Sequence, residues 1–404
     1  MKVLQVNCVY NTGSTGKITA DLHKALLNIG VESVVCYGRG EKVKEPFVYK
    51  TCGELYSKFN NLLSRFTGIM YGGCYFSTNK LIRIIKKEKP DIVHLQCING
   101  YFVNIYRIIN WLKKNNIKTV LTLHAEFMHT ANCGHALDCE KYKTGCGGCK
   151  DFKKITKSIF LDNTSVSFQK LKKAFDGFDE NLIITSVSGW LKSRGEGSLI
   201  LGEKKHITVM NGLETEIFYP HGAEEIRKKF GIGDKKLVLF VTPSFSLDKH
   251  HLKGGYYLVE LAKLMPNILF GVIGIKESFD GLPENILNIG RVDNQDTLAK
   301  LYTAADATVI LSKKETFSMI LAESLCCGTP VVAFKAGGPE SIAIQKYCDF
   351  AEYGDLNGVL QLLRARLSLA KDKNLSVLAK SKYDKKIMME NFINVYFKLT
   401  GEDF

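Results

Sequence analysis

The sequence predicts two α/β domains in tandem, each a parallel sheet covered by helices. Three observations carry that expectation. Short apolar runs alternate with amphipathic stretches through the first half, and the same alternation starts afresh after Asn211-Gly212. That order of elements is the signature of parallel strands joined by helical crossovers. A length of 404 residues exceeds one ordinary core and suits two of roughly 200 residues each. With 45% hydrophobic and 24% charged residues, the chain has apolar material for both cores. Two Rossmann-like domains are therefore expected to face each other across a cleft.

In order along the chain, Val3–Val6 reads as a buried strand, followed by a glycine-containing turn and a helix from about Ile18 to Ile29. Val34–Tyr37, Asp91–Leu95 and Thr119–Leu123 are the next strands, with a helix around Tyr106–Lys114. In the second half Leu237–Thr242, Ile268–Ile273, Ala307–Leu311 and Val331–Phe334 repeat the pattern. The boundary is expected between 205 and 212, giving domains 1–208 and 209–385. The amphipathic segment 386–404 is a helix expected to cross back onto the first domain.

Composition narrows the function classes. No apolar run reaches 18 residues, so no span is expected, and Met1–Asn7 is too brief an apolar start for a secretory signal. The cytoplasm is the expected location. The 55 Lys and Arg outnumber the 41 Asp and Glu, for a formal charge of +14. Much of the excess lies in the first half, where it suits phosphates or an anionic membrane surface. No nucleic-acid module is recognisable, and a nucleic-acid partner is not expected.

The strongest local signal is Glu315-Thr-Phe-Ser-Met-Ile-Leu-Ala-Glu323, placed between a strand and a helix. The amides of Ser318, Met319 and Ile320 would open that helix at the positive end of its dipole, a ready diphosphate site. Glu323, further along the helix, can accept hydrogen bonds from sugar or ribose hydroxyls. Spacing alone leaves two exposed glutamates an equal reading. Gly13-Ser-Thr-Gly16-Lys17 follows the first strand, and its glycines would admit phosphate or acceptor close to the backbone. It is not a P-loop: Asn11 stands where the first glycine belongs, and Ile18 replaces the hydroxyl that would bind Mg²⁺. His124 ends a strand, where ligands of such sheets bind.

Of 12 cysteines, Cys133, Cys139, Cys146 and Cys149 cluster, with His135 among them. Four thiolates in one short loop suit a structural zinc ion, with reduced thiols or a redox pair as the alternatives.

These motifs together resemble retaining glycosyltransferase family 4. The likeness rests on Glu315 and Glu323 in Ser-Lys-Lys-Glu-Thr-Phe-Ser-Met-Ile-Leu-Ala-Glu-Ser-Leu-Cys-Cys-Gly-Thr-Pro-Val-Val-Ala, on Gly337-Gly338-Pro339-Glu340, and on Met210–Thr215 with Phe218. Val187–Leu191 and Asp91–Gln96 extend it over nearly the whole chain. The resemblance implies the GT-B architecture and transfer of a hexose-type sugar from a nucleotide diphosphate donor to a saccharide or lipid-linked saccharide acceptor, as in cell-surface polysaccharide assembly. It implies catalytic roles for Glu315, His124 and Lys253, with Glu323 on the donor ribose and no divalent cation required. Lys253 in Leu-Lys-Gly-Gly matches the family's phosphate-binding lysine. The arginine usual before it is missing, and Lys249 is the only basic residue in its place. Alanine at 125 departs from the family's aspartate, and the residues alone leave open whether Glu126 compensates. A binding protein without catalysis and a GT-B nucleotide-sugar epimerase are the alternatives.

Overall fold

The computed structural model describes residues 1–275 and 281–401. The chain forms two compact units: Met1–Val209 with the chain from Met389 onward, and Met210–Met388. The end of the segment 386–404, residues 402–404, lies outside the described residues.

Unit 1 is built on a seven-stranded sheet of β1 (Lys2–Asn7), β2 (Glu32–Tyr37), β3 (Val48–Lys50), β4 (Ile92–Leu95), β5 (Lys118–Leu123), β6 (Leu182–Ser186) and β7 (Lys205–Thr208). Their order is β3-β2-β1-β4-β5-β6-β7 and every pairing is parallel. The central strands are buried on both faces, which is why Val3, Leu4, Val6, Ile92, Val93 and Leu95 need no polar alternation. The helix Lys385–Thr400 brings Tyr396 against this sheet, where its hydroxyl meets His94 Nδ1 at 2.6 Å.

Unit 2 repeats the wiring with β8 (Leu237–Val241), β9 (Leu269–Ile273), β10 (Ile286–Gly290), β11 (Ala307–Ile310), β12 (Val331–Phe334) and β13 (Cys348–Ala351), in the order β10-β9-β8-β11-β12-β13. Its core packs Val238, Phe240, Leu258 and Phe270 with Val309, Val332 and Phe334. The Asn211-Gly212 turn seats the returning chain: a Cβ on Gly212 would lie 2.4 Å from Lys385 Cα. Leu213 N donates to Tyr383 O, and Lys385 N donates back to Leu213 O.

The first helix differs from expectation. It spans Gly13–Asn28, so Gly13 and Gly16 lie in its opening turns. The true turn is 8–12, closed by Asn11 N donating to Gly16 O at 2.9 Å. Gly16 is small because a Cβ there would meet Val9 at 3.0 Å.

Candidate functional site

In a doubly wound sheet, ligands bind where successive crossovers leave neighbouring strands in opposite directions. In unit 2 that point lies between β8 and β11. The loops that follow those strands, 242–254 and 311–318, touch there: Lys313 N donates to Leu252 O at 2.8 Å. Gly254 makes the approach feasible. Its φ is +74°, and a Cβ would stand 2.1 Å from Leu311 O. The result is an ion pair between Lys253 Nζ and Glu315 Oε1 at 2.7 Å, both side chains largely shielded from solvent.

Glu315 is held from behind. Its amide donates to Ala336 O at 3.0 Å, and its carbonyl accepts from Gly338 N at 2.9 Å. A Cβ on Gly338 would collide with the Thr316 carbonyl at 2.4 Å. The Glu340 carboxylate accepts from Ala336 N and Gly337 N, fixing that bracing loop. The Gly-Gly-Pro-Glu motif therefore positions the backbone of Glu315.

Beyond Glu315 the chain turns sharply into the helix Met319–Cys326. Ser318 caps it with φ +85°, a conformation that costs a non-glycine residue on the order of 1–3 kcal/mol and that gathers at functional sites. Its Oγ accepts from Leu321 N at 3.4 Å. The amides of Met319 and Ile320 lie in the first turn, with no carbonyl of their own helix to bond. An ammonium, a helix start and a carboxylate thus occupy one strand-end region. The first two suit a diphosphate, and the third suits hydroxyls.

Glu323 accepts a hydrogen bond from the buried Tyr302 hydroxyl at 2.9 Å, and burial, with that carboxylate beside it, pushes the phenol well above its usual range. Lys249 is exposed and rests 5.8 Å from the centre of the Tyr256 ring; the structure pairs Lys253, not Lys249, with Glu315.

Unit 1 presents a different surface at its own switch point, between β1 and β4. His124 Nε2 donates to Gln96 Oε1 at 2.9 Å. Gln96 Nε2 donates to Gln5 Oε1 at 3.3 Å, and Gln5 Nε2 to Thr19 O at 3.3 Å. Burial lowers His124 to about 4, so the imidazole is neutral at pH 7. Asn7 accepts from Cys97 N at 3.0 Å and ties the loops after β1 and β4 together. Gln5 and Gln96 are not among the site residues expected from the sequence, although a glutamine inside Val-Leu-Gln-Val is a readable signal: a polar group in a central strand needs a partner.

The four cysteines expected to hold a zinc ion lie in one loop, 133–149. Among the described residues no three His, Cys, Asp or Glu side chains converge on a point that could hold a metal ion. Cys133 is buried, Cys139 is exposed, and Cys146 turns its thiol to Thr130 O at 3.6 Å. Burial first, then the neighbouring thiols, push Cys133 to about 12 and Cys146 to about 11. Glu126 does not replace the missing aspartate. It is fully buried, bonded by Arg194 Nε and by Ala136 N at 2.8 Å, and Arg194 continues to Glu140 at 3.2 Å. Its role is to hold the cysteine loop against the helix Gly189–Glu196.

Comparison with known proteins agrees with this architecture. Residues 222–357 match the family described as glycosyl transferases group 1. The chain is similar to the putative colanic acid biosynthesis glycosyl transferase WcaC of Escherichia coli K12, at 23% identity over 99% of this chain and all of that protein. It is also similar to the N-acetyl-alpha-D-glucosaminyl L-malate synthase of Bacillus anthracis, at 25% identity over 49% of this chain and 53% of that enzyme. Among solved structures, sucrose-phosphate synthase of Thermosynechococcus elongatus superposes with a TM-score of 0.67 at 15% identity, over 99% of both chains. Anabaena HepE in complex with UDP-glucose superposes with a TM-score of 0.62 at 13% identity, over 98% of this chain and 99% of that one. Two parallel-sheet units wired alike, with glycosyltransferases similar in sequence and in structure over nearly the whole chain, are the GT-B fold.

Proposed function

We propose that the protein is a retaining glycosyltransferase that moves a hexose-type sugar from a nucleotide diphosphate donor to a hydroxyl of a saccharide or lipid-linked saccharide. The observation that carries this reading is the Lys253–Glu315 pair beside the opening turn of the helix Met319–Cys326. The donor diphosphate lies on that helix start, and Lys253 neutralises charge as the phosphate leaves. Glu315 accepts hydrogen bonds from donor-sugar hydroxyls and so fixes the anomeric carbon. Glu323, oriented by Tyr302, accepts from the ribose. Neutral His124, oriented by Gln96, serves hydroxyls and not phosphate. The acceptor hydroxyl attacks from the face that the diphosphate leaves, and its proton passes to the departing phosphate oxygen. The charge is met by the chain's own cation and amides, with no call on a divalent ion.

The test begins with a thermal-shift screen of nucleotide sugars, since a donor at 100 times its dissociation constant adds about 2.7 kcal/mol. The stabilising donor is then incubated with saccharide acceptors, and the product is read by proton NMR. The reading expects a glycoside whose anomeric configuration equals the donor's. An inverted product contradicts retention, and interconversion of donors without acceptor identifies an epimerase.

A further inference from the structure

The helix Glu54–Thr67 in unit 1 is amphipathic in the reverse sense. Its buried residues are Ser57, Asn60 and Ser64, all polar. Each is satisfied inward: Ser57 Oγ donates to Gly100 O at 3.3 Å, Asn60 Oδ1 accepts from Cys74 N at 2.6 Å, and Ser64 Oγ donates to Tyr101 OH at 3.2 Å. The apolar residues Leu55, Phe59, Leu62 and Phe66, at i, i+4, i+7 and i+11, form a stripe that faces water. Leu55 is 83% exposed.

Two neighbours enlarge the stripe. Phe76 starts the helix Tyr75–Glu88, packs its ring on Tyr56 at 5.9 Å and is 79% exposed. Phe160, 73% exposed, stands on the segment joined to the helix end by Ile159 N donating to Arg65 O at 2.8 Å. Soluble surfaces seldom gather apolar side chains in this way without a partner.

The flanking charge identifies the partner. Lys58 and Arg65, a helical repeat apart, run along one side of the stripe, and exposed Lys153, Lys154 and Lys157 lie on the chain leading to Phe160. We propose that this face is a membrane-docking surface, which lays the helix Glu54–Thr67 in the headgroup region of a bilayer rich in anionic lipid. Leu and Phe enter the acyl boundary while Lys and Arg meet lipid phosphates. A second copy of the chain is the poorer occupant, because a two-fold contact would set the Lys58–Arg65 row against its own image. The surface stands on unit 1 alone and does not depend on the transferase reading.

The experiment is vesicle flotation of the full chain without donor or acceptor. One set of vesicles is phosphatidylcholine alone, and the other is phosphatidylcholine with phosphatidylglycerol at about two to one. Wild type is expected to float with the anionic vesicles and to be released by salt. Leu62→Ser with Phe66→Ser should weaken binding roughly tenfold or more, and Phe160→Ser less. Lys58→Ala with Arg65→Ala should abolish the preference for anionic lipid. Because all these side chains are exposed, circular dichroism and the thermal midpoint should match wild type. Equal flotation of wild type and the Leu62→Ser, Phe66→Ser variant overturns the proposal, as does failure of wild type to bind either vesicle. Light scattering that shows a dimer dissociated by Leu62→Ser with Phe66→Ser also overturns it, in favour of self-association.

Discussion

The two switch points share one wiring and carry opposite chemistry. In unit 2 the loops after β8 and β11 bring an ammonium and a carboxylate to 2.7 Å beside a helix start. In unit 1 the loops after β4 and β5 bring a glutamine and a neutral imidazole to 2.9 Å, backed by a second glutamine. Phosphate needs formal charge and unpaired amides, whereas hydroxyls are matched by neutral donors and acceptors. The difference teaches that the fold sets where a ligand can bind, and that the side chains at the strand ends decide which chemistry it meets there.

The largest effect expected to separate the two units is on stability in acid. His94 and His124 in unit 1 are lowered by burial to about 3 and about 4, from 6.5. A histidine depressed in the folded state contributes stability that is complete above pH 6.5 and is lost as pH falls toward its folded value, because the unfolded chain takes up the proton first. His124 alone accounts for about 3 kcal/mol between pH 6.5 and 4. Hydrogen exchange at about pH 7 and about pH 4.5 should show β4 and β5 losing protection before β8 and β11, and His124→Gln should flatten the loss. Equal loss in both sheets would sink this distinction.

A slightly smaller effect is expected at the charged site. Glu315→Gln keeps the shape but removes the carboxylate, and turnover should fall about a hundredfold, roughly 2.7 kcal/mol of barrier. Folding should be unchanged, since the backbone of Glu315 is held by Ala336 and Gly338. Turnover within twofold of wild type would place Glu315 outside the reaction centre.

Much of this arrangement is legible in the sequence because buried parallel strands carry continuous apolar runs. Val3–Val6, Thr119–Leu123 and Val331–Phe334 show that pattern. Edge strands lack it: β7 carries Lys205 and His206, and β10 is half-exposed with Asn288 at its centre. β6 carries the run Leu182-Ile-Ile184, which the sequence reading leaves unassigned. The local segment from Glu315 to Glu323 reads well because loop, cap and helix are contiguous. The partners that orient it do not, since Tyr302 and Gly338 reach it only through the fold. Reversed amphipathicity in the helix Glu54–Thr67 is invisible to periodicity, which finds an apolar face but cannot tell which way it points.

The central claim is that the β8–β11 strand ends of unit 2 bind the donor's diphosphate through Lys253. Titration calorimetry of the stabilising donor's nucleoside diphosphate, on wild type, Lys253→Ala and Gln96→Ala, tests it most directly. Loss of one charge-assisted contact should weaken the Lys253→Ala complex about tenfold, close to 1.4 kcal/mol, with Gln96→Ala within twofold of wild type. Unchanged affinity in Lys253→Ala, or an equal loss in Gln96→Ala, would contradict the account.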